Sequence, residues 1–376
     1  MSDTSKHKID IWILIPVLLM LFFSIGAVYS ASSSFAMDKF SDPNMLFRQH
    51  TMRVLFGIVL IFAFAKLDYR MIQKYSKYLI WISILMLIYI FFGGVGMKGA
   101  SRWISLGPLS FQPSDFAKYT LIIYVAALLA RKKDYLHLLY KGYMVIIFYV
   151  LFVSMLVAFQ PNFSVSMIIL STSFLMLFLS EVKLKHLIFT GLIILPFAVL
   201  FVLSKNYILN RLSSHSEYAS GGNSNYQLMQ AIIGFGNGGI TGIGPGNSIQ
   251  RDFYLPEAYG DFIFSIVGEE YGFIGTALII TLFALFMFRG YRIVKNVQDD
   301  FGRYLAFGIT TVLSFYAVIN MCVATGVIPT TGVPLPFISY GGTALFFNSI
   351  AVGILLNISS FATEKKEVEE FKFASA

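Results

Sequence analysis

The chain has 376 residues, of which 57% are hydrophobic and only 13% charged, with a net charge of +8. That balance excludes a soluble domain and puts most of the chain in lipid. The single cysteine, Cys322, rules out an internal disulfide, the five histidines stand at no metal-ligand spacing, and positive charge split among short loops argues against a nucleic-acid partner.

A membrane span needs roughly 20 mostly apolar residues. The hydropathy pattern predicts ten, near residues 9–30, 47–66, 76–95, 113–130, 142–160, 164–180, 185–204, 262–288, 303–326 and 337–360. The expected fold class is therefore all-α, a polytopic integral membrane protein of about ten transmembrane helices. The first span follows Lys6 and Lys8 as a signal peptide would. It lacks a small-residue cleavage site and more spans follow, so it reads as a retained helix. Nineteen of the 28 Lys and Arg residues fall in the termini and one alternate set of loops. Positive charge prefers the inside, which places both termini in the cytoplasm of a multi-pass protein of the inner (cytoplasmic) membrane. Residues 1–362 read as a single transmembrane domain, and the charged segment 363–376 as a cytoplasmic tail that frays into solvent.

On the outer side, the loop 93–113 comes first. It carries Lys98, Arg102 and Trp103. An interfacial belt accounts for the indole, but the two cations run against the inside bias, and the planar fork of Arg suits phosphate. Cations on this face of a lipid-embedded protein suggest a lipid-linked phosphate substrate. Lys118 follows, five residues past Pro113 and roughly 7–8 Å into the fourth span. The tight turn Gln160-Pro161-Asn162 joins spans five and six.

A long extracytoplasmic stretch, 205–260, separates spans seven and eight and is too long for a bare connection. Its middle is polar, and residues 226–235 show an apolar helical pattern. The run Gly236-Asn237-Gly238-Gly239-Ile240-Thr241-Gly242-Ile243-Gly244-Pro245-Gly246-Asn247-Ser248 comes next. It reads equally as a flexible hinge or as a cradle of backbone N–H groups for an anion. Arg251, Asp252, Glu257 and Asp261 then crowd the entrance to span eight. Asp261 has two readings: a helix cap, or a carboxylate beside apolar surface, raised in pKa and fit to act as general base. Asp261, Ser265 and Glu269 share about one helix face. Glu269 lies deep enough to need a partner, and Lys118 is the candidate for a structural ion pair between spans four and eight. The last outer segment, Pro329-Thr330-Thr331-Gly332-Val333-Pro334-Leu335-Pro336-Phe337-Ile338-Ser339-Tyr340-Gly341-Gly342, is too broken for an ordinary helix start. Such backbone survives at membrane level only when packed in protein or lining a wet cavity. Its Ser339 hydroxyl is a candidate substrate contact.

These segments resemble the SEDS family of polytopic proteins (FtsW, RodA, SpoVE) over nearly the whole chain. The most specific matches are residues 99–118, 239–248, 255–275 and 329–342, and the runs Gly246-Asn247-Ser248 and Pro336-Phe337-Ile338-Ser339-Tyr340-Gly341-Gly342 are most similar to the FtsW/SpoVE branch. The resemblance implies a peptidoglycan glycosyltransferase that polymerises lipid II, an undecaprenyl-pyrophosphate disaccharide-pentapeptide, for septal or spore cell wall. It implies as partners a class B penicillin-binding protein transpeptidase and other division proteins. The family's essential aspartate maps onto Asp261, and its conserved arginine and Gln-Pro-Ser-acid-x-x-Lys motif onto Arg102, Gln112, Asp115 and Lys118. Arg251 and Glu257 join these as expected substrate contacts, and Arg102 and Lys98, with Arg251 or Arg211, are expected to stabilise the negative charge on the leaving group.

Three positions depart from the pattern. Asp115 replaces the usual Glu, Tyr259-Gly260 replaces His-Thr, and Asn162 replaces an Asp, which removes a charge. A divalent cation, Mg or Mn, on the pyrophosphate is compatible with this chemistry, though the sequence holds no dedicated cage. Two other classes stay open at this level. One is a lipid II flippase, since intramembrane Lys118 and Glu269 and broken helices suit transport. The other is a non-enzymatic scaffold for the penicillin-binding protein.

Overall fold

The computed structural model describes residues 9–374 apart from 94, 98, 99, 107, 108, 221, 223, 224, 254, 256 and 257, and without the side chains of 95–97, 100, 101, 105, 106, 109, 219, 252, 253 and 363–374. Its helices are α1 (Ile11–Phe40), α2 (Met45–Lys66), α3 (Tyr69–Gly93), α4 (Pro113–Arg131), α5 (Met144–Phe159), α6 (Phe163–Leu179), α7 (Leu184–Leu203), α8 (Asn206–Ala219), α9 (Tyr226–Gly238), α10 (Ile249–Phe253), α11 (Ile263–Asn296), α12 (Asp300–Ala324) and α13 (Thr343–Ala374). Among the described residues, eight helices are long and apolar enough to cross a membrane. The protein is therefore a multi-pass membrane protein. The seventeen-residue α6 and the charged α4 pack among them.

Local sequence sets the helix ends. The Asp10 carboxylate accepts from the Trp12 N–H at 2.9 Å and starts α1; Asp299 does the same for α12 through the Gly302 N–H at 2.7 Å. Pro113 opens α4 where its missing N–H costs nothing, and the preceding Gln112 is extended as proline requires. The segment 93–113, expected as a plain loop, forms three short antiparallel strands in the order β1 (Val95–Met97), β2 (Ala100–Leu106), β3 (Leu109–Phe111). Alternating small and bulky residues suit a hairpin, a signal that the apolar background obscures. The tail differs too: α13 continues as helix to Ala374 instead of fraying after residue 362.

The core lies where α4, α12 and α13 meet α2, α3 and α11. Lipid offers no hydrophobic drive between helices, so close backbone approach does the packing. A Cβ on Gly353 of α13 would stand 2.7 Å from the Ile61 carbonyl of α2. By contrast, α7 buries only Leu187 among its apolar side chains and stands off the bundle. The basic loops gather at one end, where Arg289 pairs with Asp10 at 2.6 Å and Lys133 with Asp300 at 2.9 Å. The sheet, the turn at Pro161, α8 to α10 and the loop 326–342 gather at the other.

Candidate active site

Asp261 stands two residues ahead of α11, whose cap position falls on Phe262, and the Phe262 side chain makes no capping bond. The backbone around it is held on successive carbonyls. Tyr259 O accepts from the Tyr340 N–H at 2.9 Å, Gly260 O from the Ser339 hydroxyl at 2.7 Å, and Asp261 O from Asn320 Nδ2 at 2.8 Å. The same Asn320 nitrogen donates to Val333 O at 2.8 Å, and the Ser339 Oγ accepts from the Leu335 N–H at 2.8 Å. The loop that could not start a helix is thus a brace for the aspartate. Ser339 uses its hydroxyl to build that brace.

Across from Asp261 stand two arginines. Gly332 sits at the meeting point with φ of 72°. The position where its Cβ would be lies 3.6 Å from Asp261 Oδ2 and 3.9 Å from Arg211 Nη2. Both groups thus lie within van der Waals reach of this one residue, whose positive φ favours glycine. Arg211, on α8, also donates to Thr331 O at 3.2 Å. Arg102, on β2, donates to Gln160 O at 3.2 Å and to Pro161 O, and so ties the sheet to the α5–α6 turn. Burial and the neighbouring Arg211 charge hold the Arg102 guanidinium below its ordinary pKa, while Tyr207 and Asp261 act the other way. Arg102, Arg211 and Asp261 therefore form one electrostatic cluster.

An apolar cavity of about 490 Å³ lies beside Arg211, between α6, α8, α12 and residues 328–331. Phe163, Met167, Phe315 and Val318 line it, and Arg211 is the one charged lining residue among those described. Met167 and Val318 are also exposed on the flank of the bundle, so the cavity opens toward lipid.

The Gln112–Lys118 motif lies beneath the brace. The Gln112 N–H donates to Thr343 Oγ1 at 3.3 Å, and Thr343 Oγ1 donates to Asp115 Oδ2 at 2.9 Å, which fixes the start of α13. The expected ion pair between Lys118 and Glu269 does not form. Lys118 Nζ instead lies 3.9 Å from Asp115 Oδ1 and 4.0 Å over the Tyr316 ring. Both Lys118 and Asp115 are buried, and the partner one turn away needs no rearrangement of a second helix. Glu269 is fully buried elsewhere, accepting from the Ser248 hydroxyl, from Asn237 Nδ2 at 3.2 Å and from the Gln250 N–H at 3.3 Å.

Arg251 is also placed away from its expected role. Its guanidinium donates to Ser30 O at 3.0 Å and Gly246 O at 3.1 Å and lies 3.7 Å from Glu270, which also accepts from the Ser30 hydroxyl. Lys98 and Glu257, the remaining expected contacts, lie outside the described residues.

The glycine-rich run is tied into the fold and is no free hinge. It threads into a break in α11 at Gly272, whose φ is 63°. The Ile243 and Gly244 N–H groups donate to Glu269 O and Glu270 O, both at 3.0 Å, while the Phe273 and Ile274 N–H groups donate to Gly239 O and Ile240 O at 2.9 and 3.2 Å. The Ile243 and Gly244 N–H groups are consumed by the helix, and the Gly246 and Ser248 N–H groups face the protein's own Glu270 carboxylate.

Asn320 and Gly332 were not singled out from sequence. A polar amide inside an apolar span is the signal for Asn320; Gly332 carries no signal beyond a proline-rich turn. Among the described residues no group of three His, Cys, Asp or Glu side chains could hold a metal ion.

A family model described as cell cycle protein, spanning FtsW, RodA and SpoVE, matches residues 11–364. A probable peptidoglycan glycosyltransferase FtsW of Trichlorobacter lovleyi is 37% identical, over 93% of this chain and 93% of its own length. Stage V sporulation protein E of Bacillus subtilis is 35% identical, over 96% of this chain and 99% of its own. Among solved structures, a chain from a peptidoglycan synthase complex that coordinates polymerization and crosslinking superposes with a TM-score of 0.76 at 26% identity, covering 94% of this chain and 98% of that one. The rod shape determining protein RodA of Thermus thermophilus shares the fold, with a TM-score of 0.69 at 24% identity over 93% of this chain and 96% of its own.

Proposed function

This chain belongs to the FtsW/RodA/SpoVE family of cell cycle proteins, and from that premise we propose that it is a peptidoglycan glycosyltransferase that polymerises lipid II at the outer face of the cytoplasmic membrane. One observation carries the reading. An apolar cavity that opens to the lipid flank carries Arg211 on its wall, and Arg211 and the braced carboxylate of Asp261 both lie beside Gly332. An amphiphile with a polyprenyl chain, a diphosphate and a sugar matches the three environments in that order.

In the proposed reaction Asp261 takes the proton from the acceptor sugar's 4-hydroxyl. The oxygen bonds to the donor's anomeric carbon, the bond from that carbon to the diphosphate oxygen breaks, and its electron pair leaves with the polyprenyl diphosphate. The cationic cluster stabilises the charge that grows on the leaving group. A general base of this kind contributes about 10²–10⁴-fold in rate.

The basic end of the bundle supports a reading in which both termini lie in the cytoplasm. Crosslinking falls to a penicillin-binding protein partner, a reading supported by the structural neighbour taken from a synthase complex. The FtsW and sporulation relatives point to division or spore wall as the setting.

The test is polymerisation of labelled lipid II by the purified protein with its transpeptidase partner, for wild type and Asp261→Asn. Glycan chains should form with wild type alone, at equal folded yield. Chains made by Asp261→Asn at the wild-type rate would refute the assignment, and lipid II that merely changes leaflet would mark a transporter.

A further inference from the structure

Sequence motifs assign the substrate's phosphate to Arg102, and the geometry separates that residue from the task. The Arg102 fork is turned onto the Gln160 and Pro161 carbonyls, where it fastens the sheet to the α5–α6 turn. An arginine held by carbonyls at a turn acts on architecture first. Arg211 differs in three respects. One bond, to Thr331 O, anchors it. Among the described residues it is the charged one on the wall of the apolar cavity. Its Nη2 also looks across Gly332 at the Asp261 carboxylate.

We propose that Arg211 is the catalytic residue that binds the diphosphate of the donor lipid and stabilises it as the leaving group, and that Arg102 is a positioning residue for the wall beside it. This rests on the glycosyltransferase reading above. The cavity fixes the direction of the donor. With the polyprenyl chain along Phe163, Met167, Phe315 and Val318, the first polar group to emerge meets Arg211. The next, the anomeric carbon, then falls beside Gly332, within reach of Asp261. The acceptor hydroxyl enters from the Asp261 side. On reaction its proton passes to the carboxylate, and the electron pair of the broken carbon–oxygen bond ends on the diphosphate at Arg211. Two guanidiniums this close repel each other, and a bound diphosphate relieves that repulsion. The planar fork of Arg can take two phosphate oxygens at once, which Lys cannot.

The experiment measures binding apart from turnover, on the full-length protein in nanodiscs, with farnesyl diphosphate and farnesol as probes. Wild type should bind the diphosphate tighter than the alcohol. Arg211→Gln should weaken diphosphate binding on the order of 10- to 100-fold and leave farnesol binding unchanged, and Arg211→Lys should recover part of the loss. Asp261→Asn should bind the diphosphate at least as tightly as wild type, since a neighbouring negative charge is gone. Three results overturn the proposal: no preference for the diphosphate in wild type, unchanged diphosphate binding in Arg211→Gln, or loss of both probes together with a lowered melting temperature. Failure of the polymerisation reading looks different, because a protein that binds the diphosphate through Arg211 yet makes no glycan leaves this result standing.

Discussion

Gly242 and Gly272 meet backbone to backbone: a Cβ on Gly272 would fall on the Gly242 nitrogen, and a Cβ on Gly242 on the Glu270 carbonyl. The glycine-rich loop thereby takes the hydrogen bonds that an unbroken α11 would make between Glu269 and Phe273 and between Glu270 and Ile274. A break at this depth is tolerated because every freed group finds a partner in protein. Both glycines have positive φ, 82° and 63°. Gly272→Ala should therefore lose on the order of 2 kcal/mol or more, combining a left-handed backbone with a backbone clash. Gly246→Ala is the control: its φ is 82°, but nothing lies within 4 Å of the added Cβ. Its loss should be about 1 kcal/mol. Thermal unfolding in detergent checks the pair, and equal melting temperatures would refute the splice.

Asn320 should matter to rate more than to substrate affinity. Its buried amide nitrogen joins Asp261 O to Val333 O. Asn320→Ala leaves both carbonyls short of a donor, at roughly 1–3 kcal/mol of stability. It also frees the aspartate's backbone, and a misplacement near 1 Å can cost about 10²-fold in turnover. The expected outcome is a kcat reduced about 10- to 100-fold at nearly constant KM for lipid II. A folded Asn320→Ala with wild-type kcat would remove Asn320 from the positioning machinery.

The buried pair on α4 predicts a compensation. Lys118→Met strips Asp115 of its cation in the core and should cost about 3–5 kcal/mol. The double variant Asp115→Asn/Lys118→Met removes both charges and keeps an amide that can accept from Thr343. It should regain most of the lost stability. A double variant no more stable than Lys118→Met alone would show that the two side chains are not energetically coupled.

Sequence made the broad arrangement legible because its signals are local and strong. Runs of apolar residues mark the spans, and a carboxylate at the head of an apolar helix marks Asp261. Pro329, Pro334 and Pro336 forbid a helix and so flag the brace. The relations that failed are those with more than one local solution. Lys118 had Asp115 one turn away and Glu269 in another span, and depth alone suggested the distant partner; proximity along the helix prevails. Gly272 looks like an ordinary helical glycine until the loop at Gly239–Gly244 is known to enter there. Asp261 and Arg211 are fifty residues apart, and sequence offers Arg211 only as one of several outer-face cations for the leaving group, with nothing to set it beside Asp261. They meet beside Gly332, which comes from a third segment.

Arg251 separates architecture from substrate binding. Its guanidinium bridges α1 and α10 through Ser30 O at 3.0 Å and faces the buried Glu270 of α11 at 3.7 Å. Burial raises the cost of an uncompensated charge there, so Arg251→Gln should destabilise by several kcal/mol, about 3 or more. Glu270→Gln in the same background should restore part of it, since the amide needs no counter-charge. Neither change touches the cavity at Arg211, and folded Arg251→Gln/Glu270→Gln should bind farnesyl diphosphate with wild-type affinity. Differential scanning fluorimetry and the nanodisc binding assay read the two effects separately. If the double variant melts with wild type but loses the diphosphate, Arg251 belongs to the substrate site and its place in the α1–α10–α11 clasp is incidental.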